Sequence, residues 1–108
     1  MKKILILPLI ILILCGCSES NMEKIMKEEK YVIIDVRTKE EYDELHVKDS
    51  INIPYDDIDK AIDIDKDMNV FVYCKSGNRS SIAYKTLKEM GYKVYDLGSI
   101  NNVDLPKE

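Results

Sequence analysis

The chain has 108 residues, of which 45% are hydrophobic and 33% are charged, and its formal net charge is −4 at pH 7. A chain of this length builds one small domain with a modest core. The excess of acidic residues argues against a nucleic-acid partner, because nucleic acids are bound by basic patches.

The N-terminal residues have the pattern of a secretory signal. Lys2 and Lys3 provide positive charge, and residues 4–14 form an apolar run that is broken by Pro8. This run is too short for a comfortable membrane span but suits a signal peptide. It ends in Leu14-Cys15-Gly16-Cys17, which resembles the lipobox of bacterial lipoproteins. An uncleaved N-terminal anchor helix is the alternative interpretation.

The lipobox resemblance implies that the chain has three parts. Residues 1–16 are then a lipoprotein signal peptide, residues 17–21 a lipidated tether, and residues 22–108 the folded domain. Cys17 carries the lipid in this interpretation, and its acyl chains hold the protein on a membrane. We therefore expect an extracytoplasmic protein that is lipid-anchored on the cell membrane or the outer membrane.

The cysteines and the histidine limit the possible chemistry. Cys15 leaves with the signal and Cys17 is lipidated, so Cys74 is the thiol that remains and no intramolecular disulfide can form. His46 is the single histidine, which leaves too few soft ligands for a zinc or haem site. We expect neither a metal nor a cofactor.

Short apolar runs alternate with helical patterns along the chain. The predicted strands cover residues 31–34, 50–53, 70–73 and 94–97. The predicted helices cover residues 22–29, 39–45, 56–64 and 80–90, the second of them starting at a capping box of Thr38 and Glu41. This alternation predicts an α/β fold with a mostly parallel central sheet and helices on both faces.

Apolar spacing also predicts which helical residues face the core. In the short third helix these are Ile58, Ala61 and Ile62, and in the last helix Ile82, Ala83, Leu87 and Met90. Gly91 is placed to end the last helix.

Cys74 lies between the third predicted strand and the last predicted helix. When a thiol lies at a strand end before a turn and a helix N-terminus, backbone N–H groups of the turn can point at its sulfur. The helix N-terminus adds partial positive charge there. Arg79 adds a full charge, and both effects favour the reactive thiolate. The alternative is an inert buried cysteine. The candidate site is Cys74 as nucleophile, with substrate-binding residues Lys75, Ser76, Gly77, Asn78 and Arg79.

From about residue 22 to residue 106 the sequence resembles a single-domain rhodanese. The matching segments are residues 34–38 (IDVRT), 41–42 (EY), 46–47 (HV), 50–54 (SINIP), 74–80 (CKSGNRS), 91–92 (GY) and 96–98 (DLG). Two positions depart from the family pattern. Leu45 stands where a glycine is usual, and Val103 stands where an aromatic residue is common.

The resemblance implies a rhodanese-like fold and a thiosulfate sulfurtransferase-like activity. Cys74 then takes sulfur from a donor such as thiosulfate, becomes a persulfide, and passes the sulfur to a nucleophilic acceptor such as a thiol. The donor and the acceptor are small molecules or proteins. N–H groups of residues 75–79 can hold the anionic sulfur. Two roles stay open for Arg79, contact with an anionic donor or an ion pair with an acid behind the loop.

The resemblance gives Asp35 and Arg37 a supporting role that braces the loop, whereas His46 is expected to be structural or at the surface. Two other functions remain as alternatives. A phosphatase of related fold uses five residues between cysteine and arginine, but four separate Cys74 from Arg79. A non-catalytic binding or sulfur-sensing module with the same fold is the other alternative.

Overall fold

The computed structural model describes residues 23–27 and 29–108. The predicted signal peptide, the lipobox and Cys17 lie outside the described residues. Among the described residues, none belongs to a helix with the length and apolar character needed to span a membrane.

Four parallel strands form one sheet in the order β2-β1-β3-β4. The strands are β1 (Tyr31–Asp35), β2 (Ile51–Asn52), β3 (Asn69–Cys74) and β4 (Lys93–Ser99). The helices are α1 (Lys39–Glu44), α2 (Ile58–Ala61) and α3 (Asn78–Glu89), with a 3-10 turn at Ile100–Asn102 and helical residues at 23–27. β3 lies inside the sheet and every one of its residues is buried.

Side chains of alternate residues leave β1 and β3 on opposite faces of the sheet. One face packs Ile34, Val70, Val72 and Cys74 against α2 and α3, and the other packs Ile33, Phe71 and Tyr73 against residues 23–27 and the 3-10 turn. Because both faces are covered, β1 and β3 carry continuous apolar runs at residues 31–34 and 70–74. The predicted α/β class, with a parallel sheet between helices, is confirmed.

The last helix differs from its predicted form. It begins at Asn78 rather than at residue 80, because Gly77 adopts the left-handed conformation immediately before it. Ile82 is 49% exposed, whereas Ala83 and Leu87 are fully buried. Residues four positions apart share a helix face, and Ile82 lies about 100° from Ala83 around the axis. The predicted core position of Ile82 is therefore wrong.

Two further core and boundary predictions are corrected. Ala61 is exposed, because α2 ends after four residues and Ile62 is already extended. β2 contains two residues instead of four. The prediction that Gly91 ends the last helix is confirmed by its φ of +96°.

The two departures from the family pattern are accommodated by the backbone and the core. Leu45 has φ −165° and ψ 131°, an extended conformation that any residue adopts. Val103 is buried with Tyr73 and Ile100. The tail beyond it pairs with residues 46–48, and the His46 amide donates to the Glu108 carbonyl at 2.9 Å.

Candidate active site

Cys74 is the last residue of β3 and its side chain is completely buried. It therefore lies at the carboxyl edge of the parallel sheet, where sites in such folds are found. The Gly77 amide donates to Cys74 Sγ at 2.9 Å, and Ser80 Oγ lies 3.4 Å from the same sulfur. The thiol thus faces the first turn of α3.

The surroundings of the sulfur stabilise its charged form. Burial raises the pKa of the Cys74 thiol, but hydrogen bonds from the Ser80 hydroxyl and from the amides of Ser80, Gly77 and Ser76 outweigh this effect. The resulting pKa lies below the ordinary value of a cysteine. Amides at a helix N-terminus carry partial positive charge, so the thiolate is favoured even in a buried position.

Gly77 gives the loop its turn into the helix. Its φ is +104° and its ψ is −15°, and it is the residue that precedes the first turn of α3. A Cβ built on Gly77 would meet nothing within 4 Å. The position therefore requires glycine for its backbone conformation rather than for lack of space.

Arg79 is engaged by Glu41 of α1. Its two terminal nitrogens donate to the Glu41 carboxylate at 2.7 Å and 3.1 Å. Of the two roles that the sequence left open, the structure shows the ion pair. The hydrogen bonds from Arg79, helped by those from Thr38, lower the pKa of Glu41 from 4.5 to about 2, although burial opposes them.

Glu41 also belongs to the predicted capping box, which is confirmed. The Glu41 amide donates to Thr38 Oγ1 at 3.2 Å, and the Thr38 amide donates to Glu41 Oε1 at 3.1 Å. One carboxylate therefore caps α1 and holds the arginine that follows the Cys74 loop. This contact couples the start of α1 to the start of α3.

We predict that Glu41→Gln destabilises the protein at neutral pH by about 1 kcal/mol or less, because the ion pair is partly exposed. Gln preserves the capping box, so the change isolates the charge. The folded-state pKa of Glu41 is depressed from 4.5 to about 2. The stabilisation is therefore present above the unfolded value and is lost as the pH falls toward the folded value.

Urea denaturation midpoints near pH 7 and near pH 3 measure this effect. The difference between the wild type and the variant should shrink at the lower pH. Glu40→Gln on the exposed side of the same helix is the control and should change little. A pH-independent difference would contradict the assignment.

Asp35 and Arg37 form a second, buried ion pair. Arg37 Nε lies 3.0 Å from both Asp35 oxygens, and Arg37 Nη2 lies 2.7 Å from Oδ2. Arg37 also donates to the Leu45 carbonyl at 2.5 Å. Through these contacts Arg37 joins Asp35, which precedes α1, to Leu45, which follows α1. Arg37 also lies 5.7 Å from the ring centroid of Tyr73, the residue before Cys74. The predicted supporting role of Asp35 and Arg37 stays a prediction.

The remaining predicted loop residues are on the surface. Lys75, Ser76 and Asn78 are exposed, and the Lys75 carbonyl accepts a hydrogen bond from Ser99 Oγ at 2.6 Å. A cleft of about 230 Å³, which we call the loop cleft, opens beside Lys75. Its lining residues are Arg37, Glu41, Glu44, Leu45, Lys75, Ile100 and Asn101.

His46 contacts Tyr42 and the C-terminal tail. Its ring stacks on Tyr42 with centroids 3.8 Å apart, its Nδ1 is 2.7 Å from the Tyr42 carbonyl oxygen, and its Nε2 is 3.5 Å from the Glu108 carboxylate. These contacts anchor the C-terminal tail. The geometry agrees with a structural role.

Sequence reasoning missed two functional neighbours of the site. The sequence predicts Ser80 as the first residue of the last helix, although its place three residues after Gly77 puts its side chain back over the loop. The local pattern identifies Glu41 as a capping residue but not as the partner of Arg79, which lies 38 residues later in the chain. The spacing of Ser80 was a usable signal, whereas nothing local indicates the contact with Glu41.

Comparison with known proteins identifies the family. The rhodanese-like domain matches residues 18–103. The thiosulfate sulfurtransferase PspE of Escherichia coli is 40% identical over 78 residues, which are 68% of this chain and 75% of PspE. A sulfurtransferase of Allochromatium vinosum is 33% identical over 76 residues, covering 69% of this chain and 71% of its own length. A solved rhodanese with anions from E. coli has a TM-score of 0.69 and 38% identity, covering 72% of this chain and 96% of that chain.

The two relatives named above are sulfurtransferases, which supports the enzyme class that the sequence predicted. The chain belongs to the rhodanese-like domain family. It spans between 18% and 41% of the length of several other curated relatives that it matches.

Proposed function

We propose that the protein transfers a sulfane sulfur from a donor such as thiosulfate to a thiol acceptor through a persulfide on Cys74. The observation that carries the proposal is the Cys74 sulfur facing the Gly77 amide at 2.9 Å at the start of α3. In the first step the thiolate attacks the outer sulfur of thiosulfate. A sulfur–sulfur bond forms on Cys74, the bond within thiosulfate breaks, and sulfite leaves with its electron pair.

The loop is built to hold a small anion. A persulfide is anionic at its outer sulfur, and amide groups in a turn stabilise such a charge without titrating. Lys75 and the N-terminus of α3 add positive potential for an anionic donor. The similar E. coli rhodanese was solved with anions, which supports this part of the proposal.

Phosphate transfer fits the loop less well. Four residues separate Cys74 from Arg79, so the loop closes around little more than one atom. Arg79 is held by Glu41 through two hydrogen bonds and is not directed to clamp a phosphate. These two observations favour sulfur transfer over a phosphatase.

Peptide mass spectrometry of the full-length protein after exposure to thiosulfate tests the proposal. The peptide that contains Cys74 should gain one sulfur atom and lose it again when cyanide or a thiol is added. A non-catalytic binding module would gain none.

We also propose that Cys17 is lipidated and holds the domain on the outer side of a membrane, with the sulfur donor and acceptor reached there. The support is Leu14-Cys15-Gly16-Cys17 behind the apolar run of residues 4–14. Cys17→Ser should abolish incorporation of labelled fatty acid and block processing of the precursor. The matched control is Cys15→Ser, which should leave both unchanged. Retained fatty-acid labelling of Cys17→Ser would contradict lipidation at Cys17.

A further inference from the structure

The loop cleft is assembled from three segments that follow β-strands. Glu44 and Leu45 lie at the end of α1, Lys75 follows β3, and Ile100 and Asn101 follow β4. The volume of about 230 Å³ is several times the roughly 30 Å³ that one water occupies in the liquid. The cleft therefore has room for a small molecule next to the residue that follows Cys74.

Most of the charge around the cleft is already neutralised. Arg37 is paired with Asp35 at 2.7 Å, and Glu41 is paired with Arg79 at 2.7 Å. The side chains of Glu44 and Lys75 are different, since neither has a salt bridge or hydrogen bond to any residue that the structure describes. Within the described part of the chain, the cleft thus presents one acid and one base that have no charged partner.

The side chains of Glu44 and Lys75 line the same cleft. Glu44 ends α1 and Lys75 begins the Cys74 loop, and they form no ion pair with each other. Leu45 and Ile100 add apolar surface in the same cleft. The carbon and sulfur atoms of a small thiol can contact this apolar surface. A ligand that carries both a cation and an anion can pair with Glu44 and Lys75.

We propose that the loop cleft selects a sulfur acceptor with both an ammonium and a carboxylate group, the chemistry of an α-amino-acid thiol. This inference rests on the proposed transfer through Cys74. Glu44 attracts the ammonium group and Lys75 attracts the carboxylate. An acceptor that lacks either group loses one of the two interactions.

The transfer step balances without a further reagent. The acceptor thiol gives its proton to solvent, and its sulfur attacks the outer sulfur of the Cys74 persulfide. A new sulfur–sulfur bond forms on the acceptor while the bond to Cys74 breaks. Cys74 leaves as a thiolate, stabilised by the amides of the loop.

Three thiols of matched skeleton test the selection. Cysteine carries both charged groups, 3-mercaptopropionate lacks the ammonium, and cysteamine lacks the carboxylate. Full-length protein is loaded with sulfur from thiosulfate or inorganic polysulfide, and the rate at which each thiol removes the sulfur is followed by peptide mass spectrometry. For each thiol, the rate with the variant is divided by the rate with the wild type. This ratio cancels the intrinsic reactivity of the thiol.

Glu44→Gln should slow cysteine and cysteamine about two- to fivefold relative to 3-mercaptopropionate, the range expected of exposed charge pairs. Lys75→Gln should slow cysteine and 3-mercaptopropionate by a similar factor relative to cysteamine. Glu40→Gln, which removes an exposed charge from the same helix outside the cleft, should change all three rates equally.

The outcomes separate this inference from the proposed function. If sulfur loads on Cys74 but Glu44→Gln changes all three rates by one factor, or Glu40→Gln reproduces its pattern, sulfur transfer stands and the selection is overturned. If no sulfur loads on Cys74 from any donor, the proposed function falls and the selection falls with it.

Discussion

Replacing Cys74 with serine should reduce sulfur transfer to background. A hydroxyl at this position is neither ionised near pH 7 nor able to form a persulfide, and no other free thiol exists among the described residues. The thiosulfate:cyanide assay measures the loss. Peptide mass spectrometry should show no added sulfur on the peptide with Ser at position 74.

The same variant should remain folded. The sequence predicts Cys74 at a strand end, and the structure places it as the last residue of β3 and in the core cluster with Val72 and Ala83. The serine hydroxyl is then buried, but the Gly77 amide and Ser80 Oγ remain as hydrogen-bond partners. We expect a loss of about 1 kcal/mol, which lowers the melting temperature of a domain this small by about 4–8 °C.

Two controls make the result decisive. Thermal unfolding followed by circular dichroism distinguishes a lost reaction from a lost fold. Hydrolysis of an aryl phosphate should be negligible for the wild type and for Cys74→Ser. Substantial sulfur transfer by the serine variant, or efficient phosphate hydrolysis by a wild type that forms no persulfide, would show that the assignment is wrong.

β1 and β3 could be predicted from the sequence because most of their residues are buried within the sheet. Continuous apolar runs at residues 31–34 and 70–73 are typical of such strands, and both lie in the parallel sheet. The Thr38 capping box was also readable, since both partners are local. Element boundaries were less accurate. The start of α3 is set by the left-handed conformation of Gly77. From the sequence alone, residues 78 and 79 could be assigned to the loop or to the helix.

The contacts that organise the site were harder to predict because they join distant residues. Whether Arg79 faces a substrate or Glu41 depends on how α1 packs beside α3, and no local pattern contains that information. The exposure of Ile82 has a similar cause. Apolar spacing allowed several faces for the helix, and packing against the sheet selected the face with Ser80, Ala83 and Leu87.

The second large effect is expected on the reactivity of Cys74 when the Ser80 hydroxyl is removed. Ser80 is fully buried, its Oγ lies 3.4 Å from the Cys74 sulfur, and it also donates to the Gly77 carbonyl at 3.1 Å. When Cys74 is a thiolate, the hydroxyl can turn to donate to the sulfur instead. The Gly77 carbonyl keeps the Ser81 amide as a donor at 3.1 Å, so this exchange leaves it satisfied.

Ser80→Ala should therefore raise the pKa of Cys74. The hydroxyl is the strongest of the groups that lower this pKa against the opposing effect of burial. Loss of a hydrogen bond to a charged sulfur should slow alkylation of Cys74 near pH 7 by about three- to tenfold. At high pH, where the thiol ionises in both proteins, the two rates should converge.

The measurement is the rate of iodoacetamide alkylation on the Cys74 peptide as a function of pH. Ser81→Ala is the matched control, because Ser81 is the next residue in α3 and its side chain is exposed. Arg79→Gln should move the midpoint less than Ser80→Ala does, since Arg79 is held by Glu41 rather than by the sulfur. An unchanged midpoint in Ser80→Ala, or an equal shift in Ser81→Ala, would mean that the amides of the loop alone set the reactivity of Cys74.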